Sequence, residues 1–143
     1  MHLSKRTQYG LRAAVRLAAT YDGGGYAQSR DLADAERMPT KFLEQVLLIL
    51  RRAGLLESKV GSGGGYRLRR PPGRITVRQL VDALEPTEEL DLPEPPTVGG
   101  IAVELVSETL AERQTAALGD WTLADLADDA REAAGEAGAM YHI

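Results

Sequence analysis

Apolar residues recur three and four positions apart in several stretches of this chain, separated by runs of glycine, proline and acidic residues. Ser4 can cap a first helix running to about Tyr21, with Tyr9, Ala13, Leu17 and Tyr21 near one stripe. Asp22-Gly-Gly-Gly ends it. Ser29 then reads as the cap of a short second helix, Arg30 to about Ala35, with Asp31 in the favourable first turn. Met38-Pro39 breaks the chain and opens a third helix from about Thr40 to Ala53, whose buried stripe is Leu43, Val46, Leu47 and Leu50 and whose stop is Gly54. The very short connection between the second and third helices makes a helix-turn-helix plausible.

Two β-capable runs follow, Leu55 to Val60 and Tyr66 to Arg70, around the tip Gly61-Ser-Gly-Gly-Gly, and Pro71-Pro-Gly closes this hairpin. A fourth helix begins at Thr76, which with Gln79 matches a capping box while Ile75 staples onto Leu80; Pro86 stops it after Glu85. Residues 86–100 hold four prolines, are acidic, and end in Gly99-Gly100, which predicts a linker or ordered loop. Ile101 to about Ala117 is helical by spacing. A last helix starts at Trp121-Thr122, with Thr122 as cap, Asp125 as the third-position acid and Trp121 stapling onto Leu126; beyond about Arg131 the Gly- and Ala-rich tail is expected to fray.

Charge sharpens this division. The net charge of −4 hides 15 Lys and Arg against 8 Asp and Glu in residues 1–85, or +7, and 2 against 13 in residues 86–143, or −11. Such asymmetry suits a basic part that meets a polyanion, and it equally suits a dipolar protein with two solvated faces. There is no cysteine, which removes disulfides, thiolate zinc sites, thiol nucleophiles and cysteine-ligated iron–sulfur clusters. His2 and His142, near the two ends, make a poor catalytic or metal centre, so no enzyme, metal or cofactor is expected. No apolar run approaches the roughly 18 residues of a spanning helix, and the charged start resembles no secretory signal. A cytoplasmic protein is expected.

The glycine run lacks the Gly-Lys-Ser/Thr ending of a phosphate loop and opens no long helix. One or two glycines would satisfy a hairpin turn. Four, with Ser62 among them and Lys59, Arg67, Arg69 and Arg70 on the stems, suit a slim tip that approaches a sugar–phosphate backbone. On the third helix, Thr40, Lys41, Glu44, Gln45, Ile49 and Arg52 lie off the buried stripe. The polar side chains near its start have the lengths that read base edges, although such a face taken alone is more often simply solvated. Lys5 and Arg6 are candidate phosphate contacts, because cations at a helix N-terminus are better explained by a partner than by helix stability. Arg12 and Arg16 read as solvated.

With these residues in place the chain resembles the Rrf-type family of winged helix-turn-helix transcription regulators. The resemblance is carried by Leu3-Ser-Lys-Arg-Thr-Gln-Tyr-Gly-Leu-Arg-Ala, Lys41-Phe-Leu-Glu-Gln-Val-Leu, Leu50-Arg-Arg-Ala-Gly-Leu-Leu, Gly61-Ser-Gly-Gly-Gly-Tyr-Arg-Leu, Pro71-Pro-Gly-Arg-Ile-Thr-Val and Thr122-Leu-Ala-Asp-Leu, in family order through nearly the whole chain. It implies a mainly α fold with a small β-hairpin wing, a winged helix-turn-helix domain plus a C-terminal dimerisation helix. It also implies a homodimeric DNA-binding regulator, a repressor by expectation, on a pseudo-palindromic site in double-stranded DNA. Lys41, Glu44 and Gln45 would face the major groove, and Gly61, Ser62, Gly63, Gly64 and Gly65 would form the wing tip at the minor groove. Ser29, Thr40, Lys59 and Arg67, with Lys5 and Arg6, complete the expected DNA-facing set.

The helix from Ile101 would cross its partner's copy. The residues themselves favour self-association there, because Ala102, Leu105, Val106, Thr109 and Leu110 form a stripe with little chain left to cover it. The expected organisation is thus a DNA-binding domain at 1–85, an acidic proline-rich linker at 86–100, and a dimerisation helix, C-terminal helix and frayed tail at 101–143. Two departures stand out. Many members carry three cluster-ligating cysteines where this chain has the acidic prolines of 86–100, and an arginine before the wing glycines where it has Val60. A small-molecule effector or a partner protein on the acidic loop would be the switch. The alternative is a winged-helix protein-interaction module with little specific DNA binding.

Overall fold

A computed structural model describes residues 2–87 and 89–141. The elements are α1 (Lys5–Ala19), α2 (Ser29–Glu36), α3 (Thr40–Arg52), β1 (Leu56–Lys59), β2 (Gly65–Leu68), α4 (Val77–Leu84), α5 (Val98–Leu118) and α6 (Leu123–Tyr141), with 3-10 turns at Tyr21–Gly23 and Pro72–Arg74. The chain forms two compact units: one runs to Glu85 and resumes at Asp120, and the other is Pro86–Gly119.

The core of the first unit is aliphatic. Leu43, Leu47 and Leu50 of α3 are fully buried with Leu68, Ile75, Leu80, Leu84 and Leu123, so the stripe of α3 lies inward as its spacing predicts. Ser4 caps α1 by accepting from the Thr7 N–H at 3.2 Å. The start of α1 is then tied to the end of α4: the Ser4 N–H donates to Glu85 Oε1 at 2.9 Å and Arg6 Nε donates to the Leu84 carbonyl at 2.6 Å. The capping box at α4 is present, with Thr76 Oγ1 accepting from the Gln79 N–H at 3.1 Å and Gln79 Oε1 accepting from the Thr76 N–H at 2.9 Å.

Several boundaries differ from expectation. Helix α1 ends at Ala19, and Tyr21 sits in a 3-10 turn closed by Gly24 at φ 69°, because the glycine run lets the chain turn early. Ser29 does not cap α2. Gln28 takes that position without a side-chain bond, and Ser29 is the first helical residue. Helix α5 begins at Val98, inside the expected linker, because Thr97 Oγ1 accepts from the Gly100 N–H at 3.0 Å and caps it. Helix α6 continues past Arg131 to Tyr141, as the strong helix propensity of its alanines outweighs two glycines.

The larger correction concerns α6, expected to join a dimerisation region at 101–143. It belongs instead to the unit that holds α1 to α4. Thr76 and Thr122 form an isolated antiparallel bridge, the Leu123 N–H donates to the Ile75 carbonyl at 2.8 Å, and the Val77 N–H donates to the Trp121 carbonyl at 2.8 Å. Thr122 and Asp125 close a reciprocal cap at 3.0 and 3.1 Å, as their spacing predicts. Residues 120–143 carry six acidic residues against Arg131, so this unit has a net charge of +2 rather than the +7 of residues 1–85 alone.

Candidate nucleic-acid interface

Helices α2 and α3 are joined by Arg37, Met38 and Pro39. Arg37 adopts φ 56° and closes α2 by donating its N–H to Ala33 and Asp34, and Met38 is buried beneath the turn. On α3, Lys41, Glu44 and Gln45 are exposed and Thr40 is half-buried. These side chains project from a helix whose opposite stripe is locked in the core. The Ser29 hydroxyl donates to Glu44 Oε1 at 3.2 Å, which links the two helices on their outer side. Behind α3, the ring of Phe42 meets Tyr9 edge-on at 5.0 Å.

The wing is an antiparallel hairpin in which Leu56 pairs with Leu68 and Lys59 with Gly65. Val60, Gly61, Ser62 and Gly63 at its tip are exposed, Val60 at 97%. Gly64 is buried, and a Cβ there would fall 2.2 Å from the Lys59 carbonyl oxygen. Outside the hairpin, Ala27 exchanges hydrogen bonds with Tyr66 at 2.7 and 2.8 Å, which anchors the wing to the segment before α2.

The basic side chains divide into exposed and engaged. Lys5 and Lys41 are exposed, as are Arg69 and Arg70 after the wing. Arg6, expected at phosphate, has its Nε committed to Leu84. Arg67 donates to Glu57 and to the Gly24 carbonyl at 3.2 Å, and its Cζ stands 4.6 Å from the Tyr26 ring centroid. The hydrogen bond to Glu57 holds the Arg67 pKa above its ordinary value. Lys59 Nζ lies 6.0 Å over the same ring. Tyr26, unnoticed in the sequence, is therefore the platform of the wing stem; an aromatic after a glycine run is too weak a signal to reveal it. Arg12 and Arg16 are not simply solvated. Both donate to Glu36, at 2.9 and 2.6 Å. Partial burial of Glu36 opposes ionisation, but the two guanidinium groups outweigh it and hold the carboxyl below its ordinary range.

In the second unit, Ile101, Ala102, Leu105, Val106, Thr109 and Leu110 of α5 are all exposed, and so are Val98 and Val103 outside the expected stripe. Thr109 Oγ1 donates to the Leu105 carbonyl at 2.8 Å within the helix. Ala102, Val103, Val106 and Leu110 line an open apolar groove with Leu90. A separate cavity of about 320 Å³ lies between the proline-rich segment and the start of α5, with Glu94 and Glu104 among its walls. No helix among the described residues is long and apolar enough to cross a membrane.

A helix-turn-helix followed at once by a two-stranded wing, in a mainly helical chain, defines a winged-helix protein. Solved structures agree in fold: T. potens IscR aligns with a TM-score of 0.72 at 31% identity, covering 93% of this chain and 90% of that one. CymR, the global cysteine regulator of B. subtilis, aligns at 0.68 with 30% identity, covering 90% and 97%. The Synechocystis sp. HTH-type transcriptional regulator slr0846 is 33% identical over 135 residues, 92% of this chain and 90% of its own. Residues 3–129 match the Rrf2 family, described as iron-dependent transcriptional regulators, and the chain belongs to that family.

The donor set does not fit a cysteine-ligated cluster of the kind that many members of the family carry. The sequence has no Cys, and residues 86–100 present carboxylates and prolines instead. Among the described residues, no three His, Asp or Glu side chains gather where they could hold a metal ion.

Proposed function

We propose that two copies of the chain pair through α5 and repress transcription by binding a pseudo-palindromic operator, without an iron–sulfur cluster. Each α3 enters a major groove, and each wing tip, Gly61 to Gly65, approaches the flanking minor groove. The observation that carries this reading is the exposed row Lys41, Glu44 and Gln45 on a helix buried along its other side, beside a wing with a bare glycine tip. Glutamine pairs with adenine, glutamate accepts from cytosine N4, and lysine reaches guanine or phosphate. Half-sites would lie about 10 bp apart or at a multiple of that spacing.

Pairing is supported by α5. Its apolar side chains cover a wide arc and stand open to solvent, an arrangement that a soluble helix adopts when another surface covers it. A second copy presents the same self-complementary face.

Gel-shift and anisotropy measurements over genomic fragments test the reading. Specific affinity on the order of 10⁻⁸ M or tighter, falling steeply with salt, is expected, together with reduced run-off transcription from the bound promoter. Weak and uniform binding to all fragments would overturn it. A stoichiometric protein partner recovered without specific DNA would then favour a winged-helix interaction module.

A further inference from the structure

We propose that Ser29 is a positioning residue for base recognition, acting through the Glu44 carboxylate rather than on DNA itself; this rests on the DNA-binding reading above. Ser29 is the first residue of α2 and Glu44 lies in the second turn of α3, so their bond spans the two helices of the helix-turn-helix. The direction of that bond is set by chemistry. A carboxylate only accepts, so the Ser29 hydroxyl donates, to Oε1 at 3.2 Å.

Two observations separate this role from a capping or phosphate-contact role. The N-cap position of α2 is held by Gln28, so Ser29 is not engaged in closing its own helix. Among the described residues Glu44 enters no ion pair, although Lys41 stands one turn before it, so the serine is the group that orients the carboxylate. A free glutamate on a helix surface samples many rotamers, and ordering it on DNA costs conformational entropy. With Oε1 held toward α2, Oε2 remains to accept from one exocyclic amino group, cytosine N4 or adenine N6. Ser29 thereby raises selectivity at that base pair and leaves contact with the phosphates unchanged.

The test uses the full chain and an operator selected by the wild-type protein from a random-sequence library. Wild type, Ser29→Ala, Ser29→Thr, Glu44→Ala and the Ser29→Ala/Glu44→Ala pair are titrated against the operator, all its single-base variants and a non-specific duplex. Ser29→Ala should lower preference by about two- to tenfold, the range of one net hydrogen bond, and only at the position that Glu44→Ala also relaxes. Ser29→Thr should restore it, and the double variant should lose no more than Glu44→Ala alone. In Ser29→Ala, which removes no charge, affinity for non-specific duplex and the salt slope should stay at wild-type values. A uniform loss of affinity across the operator, its variants and the non-specific duplex would overturn the proposal and make Ser29 a phosphate contact. Unchanged preference in Ser29→Ala would overturn it as well. Absence of any preference in the wild type would remove the DNA-binding reading together with it, an outcome distinct from the other two.

Discussion

Gly65 stands so close to Ala27 that a Cβ on the glycine would fall 2.3 Å from the Ala27 carbonyl oxygen. The approach exists because Ala27 pairs with Tyr66, the next residue, and holds the wing against the segment that leads into α2. Gly65 also has φ 136°, a conformation closed to side-chain-bearing residues. Gly65→Ala therefore combines strain with a backbone clash and should cost at least about 2 kcal/mol in urea unfolding. Gly63→Ala is the control. It has φ 73° but open space around it, and should cost about 1 kcal/mol.

Leu123 tests where α6 belongs. Its side chain is fully buried with Ile75 and Leu80. Leu123→Ala should destabilise the first unit by about 2–5 kcal/mol, as for other leucines deleted from a packed core. The single tryptophan, Trp121, lies beside the site and reports the transition by fluorescence.

Glu36 predicts a pH dependence. Folding lowers its pKa below the ordinary 4.5, because the hydrogen bonds from Arg12 and Arg16 outweigh the penalty of partial burial. The stabilisation is thus complete above about pH 5 and is lost as pH falls through the lower folded value. Its size is that of a surface ion-pair cluster, less than about 1 kcal/mol. In urea denaturation, Glu36→Gln should be slightly less stable than wild type at pH 7, with the gap closing as pH falls below the ordinary glutamate range.

Leu105 probes the proposed pairing of α5. It is 59% exposed in the single chain. Leu105→Glu places a charge in the proposed dimer face and should convert the light-scattering mass from two chains to one. A wild-type mass of one chain at micromolar concentration would overturn the pairing.

Gln45 and Lys41 separate base reading from phosphate binding. Gln45→Ala should relax preference at one base pair by about 1–3 kcal/mol in competition binding. Lys41→Ala should leave preference intact if the lysine meets phosphate, weakening all sequences alike and reducing the salt slope by about one.

The sequence by itself determined the local parts of this protein. The stripe Leu43, Val46, Leu47 and Leu50, the Thr76–Gln79 capping box and the glycine-tipped hairpin are all encoded within a few residues, by helical period, side-chain reach and turn chemistry. The exposed face of α3 followed at once, since whatever lies off a buried stripe faces out. Tertiary structure alone decided which unit α6 joins, because the Thr76–Thr122 bridge and the burial of Leu123 unite segments far apart in the chain. It likewise decided which basic residues remain available. Arg6, Arg12, Arg16 and Arg67 look alike as charges, yet each is engaged by a partner remote in sequence: Leu84, Glu36, Glu36 and the Gly24 carbonyl, the last beside the cross-strand neighbour Glu57. Periodicity reports which side of an element faces inward, and it carries no record of what arrives from elsewhere to meet the other side.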